Sequence, residues 1–172
     1  MLVLTILSIL LLVLISYQDF KTFSISWWLI PLIFITGIAV SYLSIGLGRT
    51  FKTLLINAGF ISFLILSIAL LVAFKHGKFI NITESYLGWG DILFLISIIG
   101  FFSSLNFMFF IITGLILTLL AHQGYKYLGQ PKHPRIPLAG YIALVLIVVI
   151  IIKYFSKGLN LYDDYWLYKR LS

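Results

Sequence analysis

Apolar residues run on for membrane length with few breaks in this 172-residue chain, and that property limits its possible folds more than any other. Inside a bilayer every backbone amide and carbonyl must find its partner within the protein, which leaves helices and closed barrels. The runs are continuous rather than alternating between apolar and polar residues, so helices are expected. Six spans are predicted, near Met1–Tyr17, Ser26–Leu43, Thr53–Phe74, Leu87–Phe102, Phe107–Gly124 and Pro137–Ile152. Between them lie Gln18–Ile25, Ser44–Lys52, Lys75–Tyr86, Ser103–Asn106 and Tyr125–Ile136, each too short to bury a core of its own. The expected fold is all-α and polytopic: a six-helix transmembrane domain over 1–156 and an interfacial aromatic and basic tail over 157–172. Several spans fall short of the usual length of about twenty residues, which local bilayer thinning or a wet pocket at one end would accommodate. The first run lacks a basic leader and a small-residue cleavage site, so it reads as a retained span.

Composition removes several classes of function. Hydrophobic residues make up 62% of the chain and charged residues 10%, far from the balance of a soluble domain. The net charge of +7 does not imply nucleic acid, because Lys and Arg flank the spans and no basic run with interleaved aromatics lies outside them. Cysteine is absent, which removes disulfides, thiolate zinc sites and cysteine nucleophiles together. His76, His122 and His133 sit in or beside expected loops, too scattered for a metal site, and no cofactor is expected. The bilayer itself is the first expected partner.

Five acidic residues occur, and two of them stand at the edges of apolar runs. Asp19 follows directly on the first run, and Asp91 closes the tetrapeptide Gly88-Trp89-Gly90-Asp91. An ionisable group at membrane depth costs several kcal/mol, so each is a candidate functional residue. Alternation of the spans puts the first, third and fifth loops on one face. Asp19 lies in the first loop and Asp91 just after the third, so both carboxylates are expected at the same face. Those loops hold Lys21, Lys75, Lys78, Lys126, Lys132 and Arg135, against Arg49 and Lys52 in the other two. The positive-inside rule then makes the aspartate face cytoplasmic, although Lys153, Lys157, Lys169 and Arg170 of the tail count the other way.

Gly88 and Gly90 remove side chains just before Asp91, so another backbone can approach there. Two carboxylates within a few ångströms resist double ionisation and titrate as a unit sharing one proton. Such a pair can take a proton from an attacking water and give one to a leaving amine, with neither metal nor covalent nucleophile. The bland alternative is that Asp91 caps a helix and Asp19 marks the membrane boundary. A proton-coupled transporter or channel subunit would use the same acids as relay groups, but the spans offer no further ionisable group deep in the membrane.

The order of three motifs resembles the type IV prepilin peptidases and archaeal preflagellin peptidases, six-span aspartic proteases of the GxGD type. Asp19 with Ile25-Ser26-Trp27 matches the family's first aspartate and the Ile-Pro-Asn that follows it. Gly88-Trp89-Gly90-Asp91 matches GxGD at the start of span four. Arg135-Ile136-Pro137-Leu138-Ala139-Gly140-Tyr141 matches the Ile-Pro segment that opens the last span. The resemblance covers the chain in span count and motif order. It implies a membrane-embedded endopeptidase with Asp19 and Asp91 catalytic and Gly88, Gly90, Ile136 and Pro137 framing them. Its substrate would be a pilin-like or archaellin-like precursor, cut after a basic leader at the cytoplasmic face of the cell membrane. Glu84 is a candidate for attracting that leader, against the plainer reading of a solvated glutamate. Trp27, Trp28 and Trp89 read as an interfacial belt. Ser26-Trp27 replaces Pro-Asn, Leu93 stands where members often carry Lys, and the cysteine-bearing methyltransferase region is absent. The expectation is a peptidase-only enzyme; a catalytically silent homologue is the remaining alternative.

Overall fold

The computed structural model describes residues 1–78, 81, 83, 87–128, 136–156 and 160–164, with the backbone alone at 125–128. Among these residues there is no strand, and the six helices that carry the fold are α1 (Leu2–Thr22), α2 (Leu29–Ile45), α3 (Leu47–His76), α4 (Trp89–Ser97), α5 (Ser104–Leu128) and α6 (Leu138–Phe155). A short 3₁₀ turn, Ile99–Phe101, continues α4. Among the described residues four helices are long and apolar enough to cross a membrane: α1, α3, α5 over Ser104–Gly124, and α6. The segments Leu29–Ile45 and Trp89–Phe101 are apolar but shorter. The described residues thus form an all-helical fold with several membrane-length helices.

Helix ends depart from the apolar boundaries because hydrogen bonding does not stop where hydrophobicity does. The first loop was expected from Gln18, yet α1 continues through Thr22 and places Asp19 in its last turn. The helix ends at Phe23, whose φ of 51° is left-handed and whose N–H donates to the Asp19 carbonyl at 3.0 Å. The expected loop Ser44–Lys52 shrinks to Gly46, with φ of 79°, so Arg49 and Lys52 lie within α3. Gly46 donates its N–H to Tyr42 and accepts one from Thr50, closing α2 and opening α3 on a single residue. The loop expected at Ser103–Asn106 is likewise reduced, since α5 begins at Ser104. His122 therefore lies well inside a helix rather than beside a loop.

The fourth span was expected unbroken and is not. A Cβ on Gly100 would lie 2.9 Å from the Gly37 carbonyl carbon, and one on Gly37 would lie 2.7 Å from the Phe101 ring. These two glycines let the 3₁₀ turn press directly on α2, as small residues do between membrane helices. Asn57, fully buried in α3, donates to the carbonyls of Ile99 and Phe102 at 2.8 and 3.2 Å. Backbone groups released where the helix tightens are thereby satisfied away from water.

The core runs through Leu12 and Ile15 of α1, Leu29 and Ile33 of α2, Phe94 of α4 and Ile142 and Leu146 of α6, all without exposed surface. α1 packs most extensively on α6 and next on α2, while α3 is the helix least buried. The tail expected to lie along the interface is in part docked. Leu161 and Tyr162 are buried, and Ser103 donates its N–H to the Leu161 carbonyl at 2.8 Å and its hydroxyl to Asp164 at 2.5 Å.

Candidate active site

Three helix ends meet at one end of the bundle: the last turn of α1, the first turn of α4 and the first turn of α6. Pro137 stands just before α6 as its cap residue. The opening amides of a helix have no partner within it, and those of Ala139 and Gly140 are turned to the two aspartates. Gly140 N–H donates to Asp19 Oδ2 at 2.6 Å, and Ala139 N–H donates to Asp91 Oδ1 at 3.1 Å. Adjacent amides therefore hold carboxylates from two different helices, and the positive end of α6 faces both.

Each aspartate is fixed by its neighbours. Ser16, one turn before Asp19, donates its hydroxyl to the Gly140 carbonyl at 3.2 Å, so α1 grips both polar groups of that residue. Phe20 meets Tyr141 edge to face at 4.9 Å and closes the α1–α6 seam beside them. Gln18 Oε1 accepts the Ser26 N–H at 2.9 Å and pins the turn that follows α1. Asp91 lies in the first turn of α4, near the positive end of that helix.

Asp19 and Asp91 line one pocket of about 60 Å³, together with Ile25, Gly88, Gly90 and Ile136. That volume is enough for a water molecule between the two acids. The structure thus brings together five of the residues singled out in the sequence: Asp19, Asp91, Gly88, Gly90 and Ile136. Pro137 is not on the pocket wall; it sets where α6 starts and so where the two amides point. Glu84 lies outside the described residues, as does Arg135.

The close backbone approach expected at Gly88 and Gly90 does not occur at either glycine among the described residues. A Cβ on Gly90 would meet the Ile25 side chain at an ordinary 3.8 Å. At Gly88 a Cβ would come within 3.2 Å of Asp91's own carboxylate. The close approach across helices occurs instead at Gly140, where a Cβ would stand 3.2 Å from both Asp19 Oδ2 and the Phe20 ring. Gly140, Ala139, Phe23 and Ser24 are site residues that the sequence reading did not assign. The first two sit in a motif already singled out, and their pairing with the aspartates is visible only once α1, α4 and α6 converge. Trp27 and Trp89 are strongly exposed, and among the described residues no group of three or more potential metal ligands is present. No family model, curated protein or solved structure matches the chain.

Proposed function

We propose that this chain is a membrane-embedded aspartic endopeptidase in which Asp19 and Asp91 activate water between them. The observation that carries the reading is the shared pocket: two acids distant in sequence face one small cavity, each fastened by one of two consecutive amides. Two carboxylates so placed hold a single proton most favourably. The ionised member takes a proton from water as the oxygen attacks the scissile carbonyl. The protonated member donates to the carbonyl oxygen as the tetrahedral centre forms. The C–N bond then breaks as the proton gained by the first passes to the leaving amine and the second takes back a hydroxyl proton, which leaves a carboxylic acid and restores the shared proton. The amides of Ala139 and Gly140 keep both acids in register throughout.

The resemblance to type IV prepilin and preflagellin peptidases supplies the substrate class: a precursor with a short basic leader ahead of an apolar helix. Cleavage would take place at the cytoplasmic face of the cell membrane, where the first and third expected loops carry their lysines. A proton-relay function fits less well, since Leu12, Ile15, Ile33 and Leu146 fill the bundle beyond the pocket without exposed surface.

The protein reconstituted in lipid is expected to cut a pilin-like precursor at the leader junction. Asp19→Asn and Asp91→Asn should each abolish cutting while the helical circular dichroism spectrum is kept. Full cleavage by either variant ends the paired-acid mechanism. Proton flux into liposomes without proteolysis, lost in the same variants, transfers the pair to transport.

A further inference from the structure

The opposite end of the bundle holds a second, larger cavity of about 270 Å³. It begins at Leu2 and Thr5 of α1, some 20 Å from Asp19 at ~1.5 Å per residue. Its walls are mostly apolar, with Leu2, Val40, Phe101, Ile150 and Leu161 among them. The polar lining side chains are Thr5, Ser8, Lys153, Tyr154 and Tyr162, of which Tyr154 is largely exposed and Tyr162 buried.

Lys153 comes from the last turn of α6, and its Nζ stands 4.7 Å from the centre of the Tyr162 ring. Among the described residues no carboxylate forms an ion pair with it. Asp164 is engaged elsewhere, accepting from the Ser103 hydroxyl and the Asn106 N–H. Tyr162 is 8% exposed and donates its backbone N–H to Asn160, while its hydroxyl has no hydrogen-bond partner among the described residues. Burial pushes the phenol above its ordinary range, so it stays a neutral donor. The Thr5 and Ser8 hydroxyls donate to carbonyls of their own helix.

An uncompensated ammonium and a buried phenol beside apolar walls, at the end of membrane-length helices, complement an anion that carries a hydrocarbon chain. A neutral apolar ligand would leave the ammonium unpaired. A bare phosphate would leave the apolar walls uncovered. We infer that this cavity binds an anionic phospholipid from the adjoining leaflet, its phosphate on Lys153 and Tyr162 and the start of one acyl chain against Val40, Phe101 and Ile150. The cavity is at the lower end of the ~300–1,000 Å³ usual for ligand pockets, so it takes part of one chain only. Its walls belong to α1, α2, the 3₁₀ turn, α6 and the docked segment. A lipid seated there fastens α1 to α6, the helices that carry Asp19 and Gly140, from the far end. The inference stands whether or not the aspartates hydrolyse peptides.

The test titrates the full-length protein, in uncharged detergent, with phosphatidylglycerol, with phosphatidylcholine of the same chains, and with glycerol phosphate. Bound lipid is counted by native mass spectrometry. Phosphatidylglycerol is expected to be retained about five- to tenfold better than phosphatidylcholine, as one basic contact provides. Lys153→Met should erase that preference and Lys153→Arg should keep it. Thr5→Trp, which fills the cavity without changing charge, should lower retention of both lipids. Lys52→Met makes the same charge change at the same end of the bundle but outside the cavity, and should behave as wild type. Equal retention of the two lipids, equal losses in Lys52→Met and Lys153→Met, or displacement of lipid by glycerol phosphate alone would overturn the assignment.

Discussion

Gly140 contributes no side chain, yet it is the residue on which the candidate site turns. Its N–H holds Asp19, its carbonyl holds Ser16, and the space where a Cβ would stand is taken by the Asp19 carboxylate and the Phe20 ring. A branched side chain there must push α1 and α6 apart or displace Asp19. Misplacement of a catalytic group by about 1 Å costs on the order of 10²-fold in rate. Gly140→Val is therefore expected to lower precursor cleavage by about that factor. Gly48→Val, at a position where a Cβ meets nothing within 4 Å, should leave cleavage unchanged. Comparing the two initial rates on one precursor decides the point. Equal rates would mean that the amide of residue 140 does not position the acid. Phe23 adds a second local constraint: a non-glycine residue at positive φ is uncommon, and here it stops α1 four residues after Asp19 and lines the pocket.

At the scale of elements, the break in α4 is supported from outside its own segment. Asn57 reaches across from α3 to the carbonyls of Ile99 and Phe102, while Gly37 and Gly100 bring α2 and the 3₁₀ turn into backbone contact. Asn57→Leu keeps similar bulk but strands two buried carbonyls. The expected cost is about 1–2 kcal/mol, read as a lower melting temperature in detergent. Asn57→Gln, which retains the donor on a longer arm, should lose less. A leucine variant as stable as wild type would show that the turn satisfies its carbonyls without α3. A clasp beside that turn follows the same logic, with Ser103 and Asn106 at the start of α5 bonding residues 161–164. A short polar run thereby becomes part of the fold.

For the whole molecule, the distribution of helix lengths has a consequence. α2, with 17 residues, extends about 25 Å, and Trp89–Phe101 reaches about 20 Å, against a hydrocarbon core of about 30 Å. These two segments pack on each other, so the short side of the bundle is continuous. The candidate pocket opens where that side begins, at Ile25, Gly88 and Gly90. A bilayer must thin there or admit water, and either change would bring aqueous solvent to the aspartates. Cleavage in phosphatidylcholine bilayers is expected to fall severalfold as acyl chains lengthen from fourteen to about twenty-two carbons, while the helical spectrum stays constant. A rate independent of chain length would show that water reaches the pocket without any help from mismatch.

The helical class, the membrane-length runs and the placing of Asp19 and Asp91 at one end were legible in the residues alone. Each follows from a local rule: continuous apolar runs must form helices in lipid, and consecutive spans alternate in direction. Gly88, Gly90 and Ile136, singled out in the sequence beside the two acids, line the same pocket. Helix ends were less legible, because backbone hydrogen bonding carries α1 past Tyr17 to Thr22 and joins α2 to α3 across Gly46 alone. What only the tertiary structure decided is which groups meet. No periodicity in the chain says that Gly140 and Ala139 supply the amides for two distant acids, that Gly100 rests on Gly37, or that Tyr162 folds back beneath Lys153. Those contacts depend on the angle and depth at which packed helices cross, and side-chain volumes from several helices set that jointly.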